Sequence, residues 1–196
     1  MRTRDENKEQ TIRQKALEMF VKSGFDGFSM QKLAKAANVS PATIYIYFKD
    51  KEDLIIQLYI QAFQTMTEVS LTNFDPGMSF NDGLRVQWMN RARYYMQNPD
   101  QMFFLEQIRH SPFQEKVFGY AGNNFKNVMG EFVTNAIKRN ELIKVPLEVF
   151  WSVAFAPLYN LVKFHIAGTS IGGKKFSFSE DIMDATFKLV IKALKP

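Results

Sequence analysis

The sequence contains no cysteine and only two histidines among its 196 residues. The lack of cysteine excludes disulfides, thiolate metal sites and cysteine nucleophiles, and it fits a reducing compartment. The histidines, His110 and His165, do not stand at a metalloprotease spacing, and the Gly-x-Ser-x-Gly elbow of serine hydrolases does not occur. No acidic pair stands in a catalytic setting either. We therefore predict that the chain is not an enzyme and uses neither a metal nor a cofactor.

Long apolar runs are also lacking. The longest uncharged stretch, residues 149–162, is too short to span a bilayer and contains Pro157. The charged first ten residues have no apolar signal-peptide core. With 46% hydrophobic residues the chain can nevertheless bury a core. These features predict a cytoplasmic protein that does not interact with a membrane.

Charge of one sign is scarce, because the formal net charge is only +5. Residues 29–51 carry four lysines against one aspartate, which gives this segment a local positive excess. A patch of this kind is compatible with a nucleic-acid surface, and it is equally compatible with an ordinary solvated face. Charge alone therefore does not decide between the two interpretations.

Strand-like alternation is rare, whereas apolar residues recur at helical spacing along most of the chain, which predicts an all-α protein. Ile12, Ala16, Leu17 and Phe20 mark one face of a first helix that is expected to end near Gly24. A fourth helix is expected from Asp50. Later helices are predicted over residues 81–98, 99–110, 113–140, 146–167 and 179–194.

The second and third predicted helices form a helix-turn-helix pattern. Ser29 can cap the second helix, and Ser40 followed by Pro41 is typical of a helix start. Between them, Asn38 tolerates the left-handed conformation that a tight turn requires. A small residue, Ala34, stands where the two helices must touch. The apolar residues expected to lock their angle are Leu33, Ala37, Val39 and Ile44.

This segment resembles the TetR family of bacterial repressors. The residues that carry the resemblance are Gly24-Phe25-Asp26-Gly27-Phe28-Ser29-Met30, Leu33-Ala34, Ala37-Asn38-Val39-Ser40, Thr43-Ile44-Tyr45, Tyr47-Phe48, Lys51 and Leu54. Two positions depart from the family pattern, since Asn38 replaces a commoner glycine and Tyr47 a common histidine. The resemblance implies an N-terminal three-helix helix-turn-helix DNA-binding domain, placed at residues 5–65. It also implies a C-terminal helical ligand-binding and dimerisation domain, placed at residues 66–196.

The resemblance also assigns DNA contacts residue by residue. Pro41, Ala42 and Thr43 correspond to the part of the recognition helix that meets base edges. Contacts with the phosphates of the DNA backbone correspond to Ser29, Tyr45, Tyr47 and Lys51. The alternative is that Tyr45 packs in the core and Lys51 lies free in solvent. The full predicted DNA-binding set is Ser29, Ser40, Pro41, Ala42, Thr43, Tyr45, Tyr47, Lys49 and Lys51.

The C-terminal part is rich in aromatic side chains, and Gly119, Gly122, Gly130 and Pro157 stand inside its predicted helices, where they weaken packing and predict space between helices. A largely apolar small-molecule effector is the expected occupant. Core packing alone is the alternative, because periodicity does not separate core from pocket. The predicted ligand-binding residues are Trp88, Tyr95, Phe103, Phe104, Arg109, His110, Phe125, Met129, Trp151, Phe155 and Tyr159.

The last two predicted helices have apolar faces wider than one core needs, which favours homodimerisation over packing within one chain. The predicted dimer residues are Leu147, Trp151, Ala154, Leu158, Leu161, Met183, Phe187, Val190 and Leu194. Together with these features, the resemblance to the TetR family implies a ligand-released transcriptional repressor that binds a palindromic double-stranded DNA operator as a homodimer. Two alternatives stay open: a helical DNA-binding architectural protein without a ligand, and a carrier of apolar ligands.

Overall fold

The computed structural model describes residues 5–117 and 123–196, and within these ranges the regular structure is helical apart from one isolated bridge between Thr169 and Lys175. This confirms the predicted all-α class. Gly119 and Gly122 belong to residues 118–122 of the predicted helix 113–140, which lie outside the described residues. The helices are α1 Glu6–Gly27, α2 Met30–Ala36, α3 Pro41–Tyr47, α4 Lys51–Ser70, α5 Phe80–Gln97, α6 Pro99–Arg109, α7 Gln114–Val117, α8 Asn123–Lys138, α9 Leu147–Ala154, α10 Ala156–Ala167 and α11 Glu180–Leu194.

The described residues form two compact units. The first unit contains residues 5–65 together with 100–117, and the second contains residues 66–99 and 123–196. The division predicted between residues 65 and 66 places residues 100–117 in the second domain. The structure differs there because Phe104, Ile108 and Val117 are buried in the core that α1 and α4 build. Sequence order does not reveal such a return of the chain.

The core of the first unit is organised around Phe20. The four residues predicted on the apolar face of α1, namely Ile12, Ala16, Leu17 and Phe20, are all buried, which confirms that prediction. The Phe20 ring is fully buried and stacks on Phe28 with ring centroids 4.1 Å apart. It also lies against Phe25 and Phe104, at 5.4 and 5.8 Å. Gly24 has a φ of 65° and interrupts α1 near its predicted end.

The second unit contains a helix break that the sequence pattern did not predict. The predicted helix 146–167 is two helices, α9 and α10, which meet at Phe155 with a φ of −123°. Pro157 has no backbone N–H and disfavours helical geometry in the residue before it, so the hydrogen-bond ladder is interrupted here. The indole N–H of Trp88, a fully buried residue of α5, donates to the Ala154 carbonyl at 2.7 Å. Trp88 thereby satisfies a carbonyl at the break.

Gly83 of α5 permits close packing against Phe132. A Cβ added at residue 83 would lie 2.4 Å from Phe132 Cε2 and 3.2 Å from Phe74 Cε2. The Phe132 ring has little room to move, because it is fully buried against the rings of Phe74 and Phe80. We expect Gly83→Ala to destabilise the protein by about 1–3 kcal/mol through overpacking, as measured by chemical denaturation followed by circular dichroism.

Gly130 of α8 provides the matched control for Gly83→Ala. A Cβ added there meets no atom within 4 Å, so Gly130→Ala is expected to stabilise the protein by about 0.5–1 kcal/mol. Equal effects of the two substitutions would contradict the packing that the structure shows around Gly83.

Candidate nucleic-acid interface

Helix α2 is a seven-residue helix that begins after Ser29. The Ser29 Oγ accepts the backbone N–H of Lys32 at 3.1 Å, so this serine caps the helix as predicted. Leu33 and Ala34 are buried at 0 and 2% exposure. The small Ala34 side chain thus lies in the core between the helices, which confirms its predicted place in the motif.

The turn after α2 is closed by backbone hydrogen bonds. The Ala37 N–H donates to the Leu33 carbonyl at 2.8 Å, and the Val39 N–H donates to the Ala34 carbonyl at 3.0 Å. Asn38 has a φ of 54°, the left-handed conformation expected for it. The tight turn fixes the direction in which α3 leaves α2.

Helix α3 begins at Pro41 and has one buried and one exposed side. The Ser40 Oγ accepts the Thr43 N–H at 3.2 Å and lies 2.9 Å from the Thr43 hydroxyl. Ile44 is fully buried and anchors the helix in the core. On the other side Tyr45 is 54% and Ile46 39% exposed. The residues exposed on this outer face are Pro41, Ala42, Tyr45 and Ile46.

Tyr47, at the end of α3, is only 5% exposed. Its hydroxyl accepts the Asp5 N–H at 3.0 Å and donates to the Asp5 carbonyl at 3.1 Å, so two hydrogen bonds join α3 to the start of α1. The Asp5 carboxylate caps α1, and its pKa is lowered by hydrogen bonds from the Lys8 side chain and backbone. The structure therefore places Tyr47 among the residues that hold α3, and its contact with phosphate stays a prediction.

Two lysines follow α3. Lys49 is exposed, and its backbone N–H donates to Asp53 at 2.8 Å. The Lys51 ammonium donates to the Phe25 carbonyl and lies 5.8 Å from the centroid of the Phe28 ring. Lys51 is thus not free in solvent, and it joins the start of α4 to the end of α1.

Two short helices, a tight turn between them, a buried bracing side and an exposed face on the second helix define a helix-turn-helix. In this class of DNA-binding structure the second helix enters the major groove, where its exposed side chains meet base edges. The outer face of α3 has the apolar and hydroxyl-bearing side chains that can serve this purpose.

Comparison with known proteins agrees with this class. Residues 12–58 match the family model of bacterial regulatory proteins of the tetR family. An uncharacterized HTH-type transcriptional regulator of Haemophilus influenzae is 33% identical over 94 residues, which cover 48% of this chain and 50% of that protein. The chain thus spans about half the length, or less, of the curated relatives it matches.

A solved structure is similar over the whole chain. It is a TetR family transcription regulator from Marinobacter aquaeolei, with a TM-score of 0.79 and 28% identity, and the match covers 100% of this chain and 99% of that chain. Residues 12–58 thus match the tetR family of bacterial regulatory proteins, and the chain as a whole is similar in structure to a TetR family transcription regulator. The tetR family is a family of DNA-binding transcriptional regulators and not of enzymes, in agreement with the predicted non-enzymatic class.

The predicted ligand-binding residues fall into both units. Phe103, Phe104, Arg109 and His110 belong to the first unit, where Phe104 is part of the core and the last two are exposed. Burial raises the pKa of the Tyr59 phenol, and the positive charge of Arg109 opposes this rise. Trp88 packs edge-on against Phe187 in the core of the second unit.

The other predicted ligand-binding residues lie in the second unit, and several of them surround a residue that the sequence interpretation missed. Trp151, Phe155 and Tyr159 form a series of ring contacts, with centroids 4.6 and 6.4 Å apart. Arg91 of α5, only 1% exposed, lies against this series. The available signal was a polar pair four residues apart, Gln87 and Arg91, within the otherwise apolar stripe of α5.

Five of the nine predicted dimer residues face the core of the second unit, with exposures of 4% or less. They are Ala154, Leu158, Phe187, Val190 and Leu194. These assignments are wrong as outward surface, because helical periodicity identifies an apolar face without showing what covers it. Leu147 is 67% exposed, and the large apolar residues exposed on the same elements also include Val149 and Leu189.

None of the described helices is long and apolar enough to cross a membrane.

Proposed function

We propose that this protein is a cytoplasmic transcriptional repressor that binds a palindromic DNA operator as a homodimer and is released by a small-molecule effector bound in its second unit. The observation that carries the proposal is the exposed outer face of α3, held on a rigid turn and braced by α2. Its first residues, Pro41 and Ala42, offer apolar surface suited to thymine methyl groups. Direct hydrogen bonds to bases are few in this arrangement, so contacts with phosphates supply much of the affinity.

A homodimer follows from the symmetry of such operators. Two recognition helices reach successive half-sites about one helical turn, roughly 34 Å, apart. We assign the dimer contact to the outer sides of α10 and α11, where Leu189 is 68% exposed. The dimer has a DNA-binding state and a released state, which differ in the spacing of the two recognition helices. An effector that binds the released state more tightly shifts the dimer toward it.

The experiment is selection of bound fragments from genomic DNA, followed by gel retardation with one and with two half-sites. We expect retardation of the two-half-site fragment at protein concentrations that leave a single half-site unbound. Equal binding to all fragments, independent of sequence, would instead indicate an architectural protein. Failure to retard any selected fragment at moderate salt would favour an apolar-ligand carrier.

Lys51→Ala tests the contacts with the DNA backbone. We expect weaker binding to all sequences alike, and a slope of log K against log salt concentration that is smaller by about one, because one phosphate contact is lost. Lys138→Ala, which removes one exposed lysine of α8 in the second unit, is the control for the change in net charge. A slope unchanged from that of the parent protein would refute the role of Lys51.

A further inference from the structure

The guanidinium of Arg91 is buried in the second unit beside neutral partners. Its Nε and Nη2 both donate to the same oxygen, Oε1 of Gln87, at 3.1 Å each. Its Nη1 donates to the Tyr159 hydroxyl at 2.7 Å and lies 3.5 Å from the sulfur of Met66. Among the described residues, no carboxylate forms an ion pair with this group.

Arg85, on the same helix, shows what an ordinary arrangement looks like. Its Nη2 lies 2.6 Å from the Asp184 carboxylate, and its guanidinium lies 5.4 Å from the Phe187 ring. Arg85 is thus partly exposed and has an acid as its partner, whereas Arg91 is almost fully buried and has no acid among the residues that the structure describes. A buried charge without an opposite charge is costly, so other groups must compensate the charge of Arg91.

Three aromatic rings supply part of the compensation. The Arg91 guanidinium carbon lies 4.7 Å from the Phe155 ring centroid and 5.5 Å from those of Trp151 and Phe125. Phe155 is fully buried, but Trp151, Phe125 and Tyr159 are each only partly buried. The charge therefore lies one layer of apolar side chains below the surface of the second unit.

The Gln87 side chain lies where a carboxylate normally binds a guanidinium. Nε and Nη2 form the edge of a guanidinium that normally grips both oxygens of a carboxylate in a bidentate pair. In this protein the edge converges on one neutral amide oxygen. A carboxylate in place of Gln87 Oε1 would give each of the two N–H groups its own charged acceptor, and such bonds are roughly twice as strong as neutral ones.

We propose that the effector of the second unit is an apolar organic acid whose carboxylate binds Arg91 and whose hydrocarbon part packs on the aromatic rings around it. This deepens the proposed function and rests on its effector-binding part. Gln87 is then the neutral partner that the carboxylate displaces. Because Arg91 lies on α5 and Tyr159 on α10, engagement of the guanidinium by the acid also alters the hydrogen bond that joins these two helices.

The test is isothermal titration calorimetry of the full chain without DNA, with 2-naphthoate and decanoate as probes and their neutral amides for comparison. We expect at least one acid to bind the parent protein ten-fold or more tightly than its amide. Arg91→Met is expected to abolish this preference, and Arg91→Lys to retain part of it because the charge remains. Arg85→Met, the matched control on α5, is expected to keep the full preference.

Three outcomes would overturn the proposal: equal binding of acid and amide, an acid preference that survives in Arg91→Met, or no binding of either acid at millimolar concentration. Circular dichroism of each variant verifies its fold, and Arg91→Lys keeps the test valid if Arg91→Met does not fold. Gel retardation with the same acids is read separately. An acid that binds through Arg91 without releasing DNA would contradict the release mechanism and leave the anion site standing.

Discussion

Phe20→Ala is expected to lower the free energy of unfolding of the first unit by about 3–5 kcal/mol, the usual cost of emptying a buried phenylalanine site. The Phe20 ring stacks on Phe28 and lies against Phe25 and Phe104, so its removal leaves three rings without a common partner. These rings come from α1, from the segment before α2 and from α6, and they cannot all move to fill the space. A loss of this size is a large part of the stability of an ordinary domain.

The measurement combines chemical denaturation with gel retardation at 37 °C. Lys22→Ala, an exposed position two residues further along α1, is the control and should leave both unchanged. We expect Phe20→Ala to lose DNA retardation although α3 is chemically intact. A denaturation midpoint equal to that of the parent protein would show that the aromatic cluster does not support the DNA-binding unit.

Trp88→Ala is expected to have an effect of similar size in the second unit. Two costs add here: the cavity left by a fully buried indole, about 3–5 kcal/mol, and the Ala154 carbonyl left without its donor, about 1–3 kcal/mol. Trp88→Phe separates the two, because it keeps most of the ring volume and loses only the donor. The expected cost of Trp88→Phe is therefore only that of the lost hydrogen bond, about 1–3 kcal/mol.

Denaturation of both variants, beside Met89→Ala as control, measures these costs. Met89 follows Trp88 directly and is 41% exposed, so its truncation should change stability little. If Trp88→Phe proved as stable as the parent protein, the hydrogen bond at the break between α9 and α10 would not contribute to stability.

The helix-turn-helix could be predicted because its signals are local. Ser29 and Ser40 act on N–H groups three residues away, and Asn38 determines its own φ. The buried face of α1 is likewise read directly from helical spacing. Each of these features depends on residues within one or two turns, the range over which sequence patterns and structure correspond.

Features that depend on distant residues could not be predicted. The contact between Tyr47 and Asp5 joins residues 42 positions apart, and the Trp88 indole reaches a carbonyl 66 positions away. Arg91 was missed for a related reason. A guanidinium on a helix is usually at the surface, and only the packing of side chains from four other helices, α4, α8, α9 and α10, shows that this one is buried.

The two hydrogen bonds between Tyr47 and Asp5 have a thermodynamic consequence. A helix of seven residues such as α3 is far too short to be stable alone. Its order comes from the Ser40 cap, from the burial of Ile44 and from the Asp5 contact, all present before any nucleic acid arrives. Ordering a backbone costs about 1–2 kcal/mol per residue. That cost is met during folding, so association with the operator does not include it. The recognition helix α3 therefore enters the groove in a fixed conformation.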